Sequence, residues 1–312
     1  MASTTLISHP QTVQQPTFSI QSPFRRTMRR LLNHRSAQIG LVLLGFIFLV
    51  ALLADVISPY TYEDQIREGG VKPRATPCIH ALGCEPEKPQ LWMGLDSNRR
   101  DIFSRVIHGS RLSLQIGFVT TALSLIVGTL LGAIAGYAGE AIDNLIMRIM
   151  DIFQAFPSLL LAIAIVTVLG TGLINTLLAV AIVSIPGYAR IVRAAVMSVK
   201  ELEYINASRA LGSSPLRILF TRLLPNSMTP VIIAGTLGVA GTILEAAGLS
   251  FLGLGAQPPL PEWGLMLGEE RSSVFSAPHL LVFPGLAIVI TVLAFNLLGD
   301  GLRDALDPRK KA

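Results

Sequence analysis

Apolar residues in this chain run in long uncharged blocks separated by short polar stretches. Ser36–Ala54, Leu112–Gly139, Ile152–Ala189, Leu223–Leu244 and Ser272–Gly299 contain no Asp, Glu, Lys or Arg. At a rise of about 1.5 Å per residue, roughly 20 such residues cross a ~30 Å hydrocarbon core. Four of the blocks predict one spanning helix each. Ile152–Ala189 is too long for one helix and is broken by Gly170-Thr-Gly-Leu-Ile-Asn175, so it predicts two spans and a tight turn. The count is six spans. The pattern divides the chain into a tail (1–35), a first span (36–57), a long loop (58–111), a core of five spans (112–300) and a second tail (301–312).

Between the fourth and fifth spans lies a polar island, 200–225, with a pattern of its own. Ala207, Ala210 and Leu211 form a small apolar edge, and Gly212 suits the position just past a helix end. Ser214 and Pro215 read as the N-cap and first residue of a second helix. Leu216, Leu219, Phe220 and Leu223 then share one predicted face, and Pro225 is expected to end that helix. Two short helices hinged at a glycine are the layout of a docking device.

Composition agrees with the pattern: 51% hydrophobic and 14% charged residues, against roughly 25% charged in an ordinary soluble domain. The predicted class is an all-α polytopic membrane protein. Charge sets its expected orientation. Arg25, Arg26, Arg29, Arg30 and Arg35 precede the first span, and Arg190, Arg193, Lys200, Arg209, Arg217 and Arg222 sit in or beside the polar island. Arg303, Arg309, Lys310 and Lys311 end the chain. Cationic residues favour the cytoplasmic side, and long loops such as Asp55–Arg111 obey that rule weakly. Both termini and the polar island are therefore expected inside. The pI near 9.5 then reflects topology; no aromatic-basic patch suggests nucleic acid. Residues 1–35, rich in Ser, Thr, Gln and Pro, read as a disordered basic tail, and the first span as an uncleaved anchor.

Candidate chemistry is sparse. Cys78 and Cys84 flank His80 in the long loop, where an oxidising compartment favours a local disulfide. A metal site is the alternative, short of the four ligands zinc normally takes. Asp96 or Ser97 is read as the start of a helix whose Ile102, Phe103, Val106 and Ile107 share a face. That helix is expected to lie on the outer membrane surface, as an anchor or as a contact for substrate or partner. No lysine follows a glycine, so the chain has no P-loop, and His-Glu-x-x-His and Gly-x-Ser-x-Gly are absent. Enzymatic activity is not expected. Two carboxylates fall at or near membrane depth. Both are candidates for the pathway or a contact with another subunit; Asp151 has Arg148 three residues before it, which offers a structural ion pair instead, while Glu245 has no local partner. Gly235, Gly238, Gly241 and Gly248 are spaced to let helices approach closely, as in a subunit packed against others.

Asn206-Ala-Ser-Arg-Ala-Leu-Gly212, followed by Leu223-Leu-Pro-Asn226, resembles the EAA loop of bacterial ABC importer permeases, with Asn206 and Ser208 at the first and third positions of the family's Glu-Ala-Ala. Gly94-Leu-Asp-Ser-Asn-Arg-Arg-Asp-Ile-Phe-Ser-Arg105, Ser250-Phe-Leu-Gly-Leu-Gly-Ala-Gln-Pro-Pro-Leu-Pro-Glu-Trp-Gly264 and Leu293-Ala-Phe-Asn-Leu-Leu-Gly-Asp-Gly-Leu-Arg-Asp-Ala-Leu-Asp-Pro308 are similar to the C-type permease of dipeptide and oligopeptide importers. Arg99 stands where that family usually has Gly. The resemblance implies a type I ABC importer transmembrane domain in the cell (inner) membrane. It implies a homologous second permease, two cytoplasmic ATPase subunits that bind ATP and Mg, and an extracytoplasmic peptide-binding protein, with no cofactor on this chain. It also implies that Tyr204, Ile205, Asn206, Ala207, Ser208, Arg209, Ala210, Leu211 and Gly212 couple to the ATPase. Glutathione and nickel importers share the subfamily. A stand-alone secondary transporter or a pore-free assembly protein are the rivals.

Overall fold

The computed structural model describes residues 23–306, a helical chain whose β-type pairing, among the described residues, is limited to three isolated bridges in the loop 58–101. The helices are α1 (Pro23–Asn33), α2 (Arg35–Leu52), α3 (Ala54–Ile57), α4 (Ile102–Ala138), α5 (Glu140–Gln154), α6 (Ser158–Leu169) and α7 (Leu173–Lys200). They continue with α8 (Glu203–Ala210), α9 (Pro215–Ile218), α10 (Leu224–Asn226), α11 (Met228–Phe251), α12 (Trp263–Glu269) and α13 (His279–Leu306). Five of them, α2, α4, α7, α11 and α13, are long and apolar enough to cross a membrane. The pair α5–α6, bent by 90°, brings the number to six when counted as one span.

That bend corrects the expected third span, which was to run straight from Ile152. The 12 residues of α6 reach only about 18 Å, short of a full crossing. The chain breaks at residues 155–157 because Pro157 cannot donate a helical hydrogen bond and pushes Phe156 out of the helical region. The turn expected at Gly170–Asn175 is present. Gly172 N–H donates to the Leu254 carbonyl at 3.1 Å, and Asn175 Nδ2 donates to the carbonyls of Leu169 and Gly170. The fifth and sixth spans lie farther along the chain than the uncharged runs suggested, because their helices continue through Glu245 in one case and Asp300, Arg303 and Asp304 in the other.

The most extensive helix contact joins α4 to α7. Gly128, Gly132 and Gly136 recur every fourth residue on α4, and a Cβ on Gly132 would stand 2.3 Å from the Ala189 carbonyl oxygen. Here the two backbones touch, as small residues allow between membrane helices. On α11 only Gly238 is closely faced, by the Tyr188 side chain rather than by backbone; a Cβ on Gly241 would meet open space, and one on Gly235 or Gly248 only ordinary side-chain contact. Leu44, Ile47, Leu114, Val239, Ile243 and Phe295 knit α2, α4, α11 and α13 into one apolar core.

At the loop end of the bundle the expected separate helix from Asp96 or Ser97 is not formed. Asp96 Oδ1 instead accepts from the amides of Asn98 and Arg100, closing a turn with Arg99 at φ +61°, the left-handed region in which glycine is at home. The helix starts where Asp101 caps the Ser104 amide at 2.8 Å, and it runs unbroken into the span. Arg100 and Arg105, which lie off the apolar face of the expected helix, are buried. Arg100 Nε donates to Asp96 Oδ2 at 2.5 Å, and both guanidinium groups reach Glu269, at 3.0 and 3.1 Å. Two buried cations are tolerable only because carboxylates from the loop and from α12 meet them. Cys78 and Cys84 are joined in a disulfide, with Cα atoms 5.4 Å apart, which consumes both thiols; His80 Nε2 meets the Lys88 carbonyl at 2.8 Å.

Glu270 ties the same loop down, accepting from the Ser97 amide at 2.7 Å and from Arg74 Nε at 2.8 Å. Burial pushes its carboxyl up, yet the Ser97 and Arg74 hydrogen bonds together hold it below its ordinary value of 4.5. A depressed carboxyl stabilises the fold above its unfolded value and stops doing so as pH falls through the folded one. Protection of the Ser97 amide from hydrogen exchange, corrected for intrinsic rate, should therefore hold above pH 4.5 and weaken below it. In Glu270→Gln the protection should be lower throughout and lose that pH dependence; an unchanged profile would refute the tie.

At the other end, residues 23–33, expected as part of a disordered tail, form α1; Leu31 packs with Ala37 and Ala305, and His34 Nε2 lies 2.9 Å from Asp304 Oδ2. Residues 1–22 and 307–312, with the expected tail ends they carry, lie outside the described residues.

Candidate functional site

The polar island folds as two short helices, as its pattern predicts. Helix α8 ends in a Schellman turn: Gly212 has φ +78°, its N–H donates to the Arg209 carbonyl at 2.9 Å, and Ser213 N–H donates to the Ser208 carbonyl at 3.1 Å. Ser214 and Pro215 occupy the expected N-cap and N1 positions of α9, although the Ser214 side chain makes no capping bond. Pro225 does not end the second helix. Because it has no N–H to offer the preceding turn, the chain widens into a π-turn over Leu219–Leu223 and resumes as α10. That wider turn rearranges the expected apolar face. Ile218, Leu219 and Leu223 turn inward, and Leu216 and Phe220 are left outside.

Of the nine residues expected to couple to a partner, Ile205 is the one that does not present a surface. It is fully buried in a cluster with Ala133 of α4, Val192 and Val196 of α7, Ile218, Leu219, Leu223 and Val231 of α11. It anchors α8 to the spans. Tyr204, Asn206, Ala207, Arg209, Ala210, Leu211 and Gly212 are exposed, Leu211 at 86%, and Ser208 is half-buried. The two positions that depart from the family pattern are satisfied within the helix: Ser208 Oγ donates to the Tyr204 carbonyl at 2.8 Å, and Asn206 Oδ1 accepts from Arg209 at 3.3 Å. Two cations then clamp the helix to the end of α4. The Arg209 guanidinium lies 5.9 Å and Lys200 Nζ 5.8 Å from the Tyr137 ring centre, and Lys200 also donates to the Tyr137 carbonyl at 3.1 Å. The result is an exposed patch of Ala207, Ala210, Leu211, Leu216 and Phe220 on a support braced against three spans.

The two intramembrane acids part company. Asp151 pairs with Arg190 of α7 at 2.5 Å rather than with Arg148; both partners are about half exposed, so the pair adds little stability. Beside it Arg193 grips Asp143 through both carboxylate oxygens at 2.5 Å. These bonds tie α5 to α7. Glu245 instead lines a groove of about 260 Å³ between α7 and α11, with Ser184, Tyr188, Ile191, Ala234 and Thr242. The sequence offered Glu245 as facing a pathway or another subunit, but not this groove, which depends on how α7 and α11 rotate toward each other.

The comparisons agree with this architecture. The family described as binding-protein-dependent transport system inner membrane component matches residues 128–312, and the N-terminal TM domain of oligopeptide transport permease C matches residues 22–70. The dipeptide transport system permease protein DppC of Alkalihalophilus pseudofirmus is 46% identical, covering 95% of this chain and 93% of that one. The glutathione transport system permease protein GsiD of Pectobacterium atrosepticum is 44% identical, covering 94% of each. A structure of the inward-facing MetNI methionine ABC transporter aligns with TM-score 0.55 at 20% identity, over 65% of this chain and 97% of that one, and so shares the fold. With five spans, six when the bent pair is counted as one, about an α4–α7–α11 core and relatives of this closeness along nearly its whole length, the chain belongs to the binding-protein-dependent transport system inner membrane components, as an ABC importer permease.

Proposed function

We propose that this chain is one of the two permease subunits of an ATP-driven importer of dipeptides and oligopeptides. A homologous permease completes the pore, two cytoplasmic ATPase subunits bind and hydrolyse ATP with Mg, and an extracytoplasmic binding protein delivers the peptide. The observation that carries this reading is the exposed patch on α8 and its neighbours, braced through Ile205 and Tyr137 against α4, α7 and α11. A partner that grips Ala207, Ala210 and Leu211 moves those spans with it. Arg190, Arg193, Lys200, Arg209, Arg217 and Arg222 cluster at that end, which supports placing it, and both termini, in the cytoplasm. Glutathione is the second reading, because a relative of comparable identity is a glutathione permease.

Ala207→Glu tests the coupling patch. It places a charge at the centre of the patch without touching the buried cluster, so the ATPase subunits should co-purify about tenfold less tightly, ~1.4 kcal/mol, while the chain still inserts. Unchanged stoichiometry would refute the assignment. Uptake of labelled dipeptide against labelled glutathione, in vesicles holding the whole complex and its binding protein, decides the cargo.

A further inference from the structure

The groove between α7 and α11 runs from Ile191 and Ala234 to Glu245. The 11 helical steps from Ala234 to Glu245 correspond to about 16 Å along α11, the scale of a short peptide. Its walls are apolar except for hydroxyl groups and one charge. Ser184 Oγ is turned to its own helix, donating to the Val180 carbonyl at 2.8 Å, and Thr242 Oγ1 is engaged with Thr121 at 2.9 Å and with the Gly117 carbonyl. The Tyr188 hydroxyl lies against α11 over Gly238, where a Cβ would stand 1.8 Å from its oxygen. Gly187 and Gly241 face open space, which keeps the groove wide.

Glu245 is the only charged residue lining this groove. Among the described residues no Lys, Arg or His forms an ion pair with it, although Asp143 and Asp151, farther along the bundle, each have an arginine. Ser158, at the start of α6, is placed to donate a hydrogen bond to its carboxylate. A single hydroxyl leaves most of a carboxylate's acceptor capacity open. An acid at membrane depth, held beside a groove and lacking a cation of its own, is complementary to a cation that passes.

We infer that Glu245 binds the α-ammonium group of the travelling peptide, holding its amino end in the groove while the rest of the chain lies along the Tyr188 side. The inference rests on the importer reading above and adds to it a contact in the pathway and a chemical requirement on the cargo, a free amino terminus. Glutathione meets that requirement as dipeptides do.

The test uses the complete importer in vesicles, with its binding protein loaded to the same extent with a labelled dipeptide or with its N-acetyl counterpart, loading being checked by calorimetry. Wild type should take up the free-amine peptide at least tenfold faster per ATP hydrolysed. Glu245→Gln, which keeps the shape, should move both peptides alike at the slow rate, with assembly and ATP hydrolysis preserved. Glu245→Asp should recover part of the preference. A preference unchanged in Glu245→Gln would overturn the inference and leave the importer reading standing. So would loss of assembly in Glu245→Gln, which would mark the carboxylate as a contact between subunits. A wild-type complex that moves neither peptide would overturn the peptide reading itself.

Discussion

Gly212→Pro is expected to abolish peptide-stimulated ATP hydrolysis in the assembled importer while leaving the chain folded and inserted. Gly212 sits at φ +78°, and proline is confined near −65°, so the Schellman turn cannot form. The substitution also deletes the N–H that donates to the Arg209 carbonyl. The damage stays local, because Ile205, Ile218 and Leu223 are buried on either side of the turn and hold both helices to the spans. What is lost is the placement of Ala207, Ala210 and Leu211 relative to Leu216 and Phe220. Gly212→Asn, whose side chain tolerates the left-handed region, should retain most of the coupling, and Gly212→Ala should fall between, at a cost of about 1 kcal/mol to the turn. ATP hydrolysis measured with and without loaded binding protein reads the effect. Full stimulation in the proline variant would refute the assignment of this segment.

Gly132→Leu should have the larger structural effect: loss of the folded chain from the membrane fraction rather than loss of coupling. A Cβ there meets the Ala189 carbonyl oxygen at 2.3 Å, and the rest of the side chain has the α7 backbone in front of it. Main chain cannot step aside as a side chain can, so α4 and α7 must separate, costing about 3 kcal/mol or more. Gly241→Ala is the matched control, since it adds a methyl group to open space and should leave thermal unfolding of the solubilised complex within about 0.5 kcal/mol of wild type. Equal stability of the two variants would show that the close approach of α4 and α7 is unimportant.

Much of the fold could be read from the uncharged runs, because lipid requires long apolar helices and charges mark where they stop. The rule failed where a charge was buried. The burial of Arg100 and Arg105 was not readable because Glu269, the carboxylate they share, comes from α12 far along the chain, although Asp96 lies only four residues from Arg100. Glu245 and Asp300 truncated helices that in fact continue past them. The bend at Pro157 sat inside an apolar run, where hydrophobicity alone carries no information about direction.

The same holds for the site. Gly212, Ser214 and Pro215 announced the hinge because turn and cap chemistry is local. Ile205 gave no such signal, since its neighbours in the buried cluster come from α4, α7 and α11. Leu216 and Leu219 parted ways because the π-turn ahead of Pro225 changes the period of the helix. The glycines that meet a facing backbone were on α4, at Gly128, Gly132 and Gly136, whereas on α11 only Gly238 is closely faced, and by a side chain. Spacing alone did not separate the two sets; the facing backbone did.

The 37 residues of α4 make a continuous rod of about 55 Å. Its first turns are locked by Arg105 into the carboxylates of α12 and the disulfide-bearing loop, and its last turn carries Tyr137, gripped by Lys200 and Arg209. A stiff strut fastened at both ends cannot shift at one without shifting at the other. In the importer proposed above, occupancy of the binding-protein side and the nucleotide state of the ATPase side would be joined through one mechanical element, and by linkage each would bias the other to the same extent.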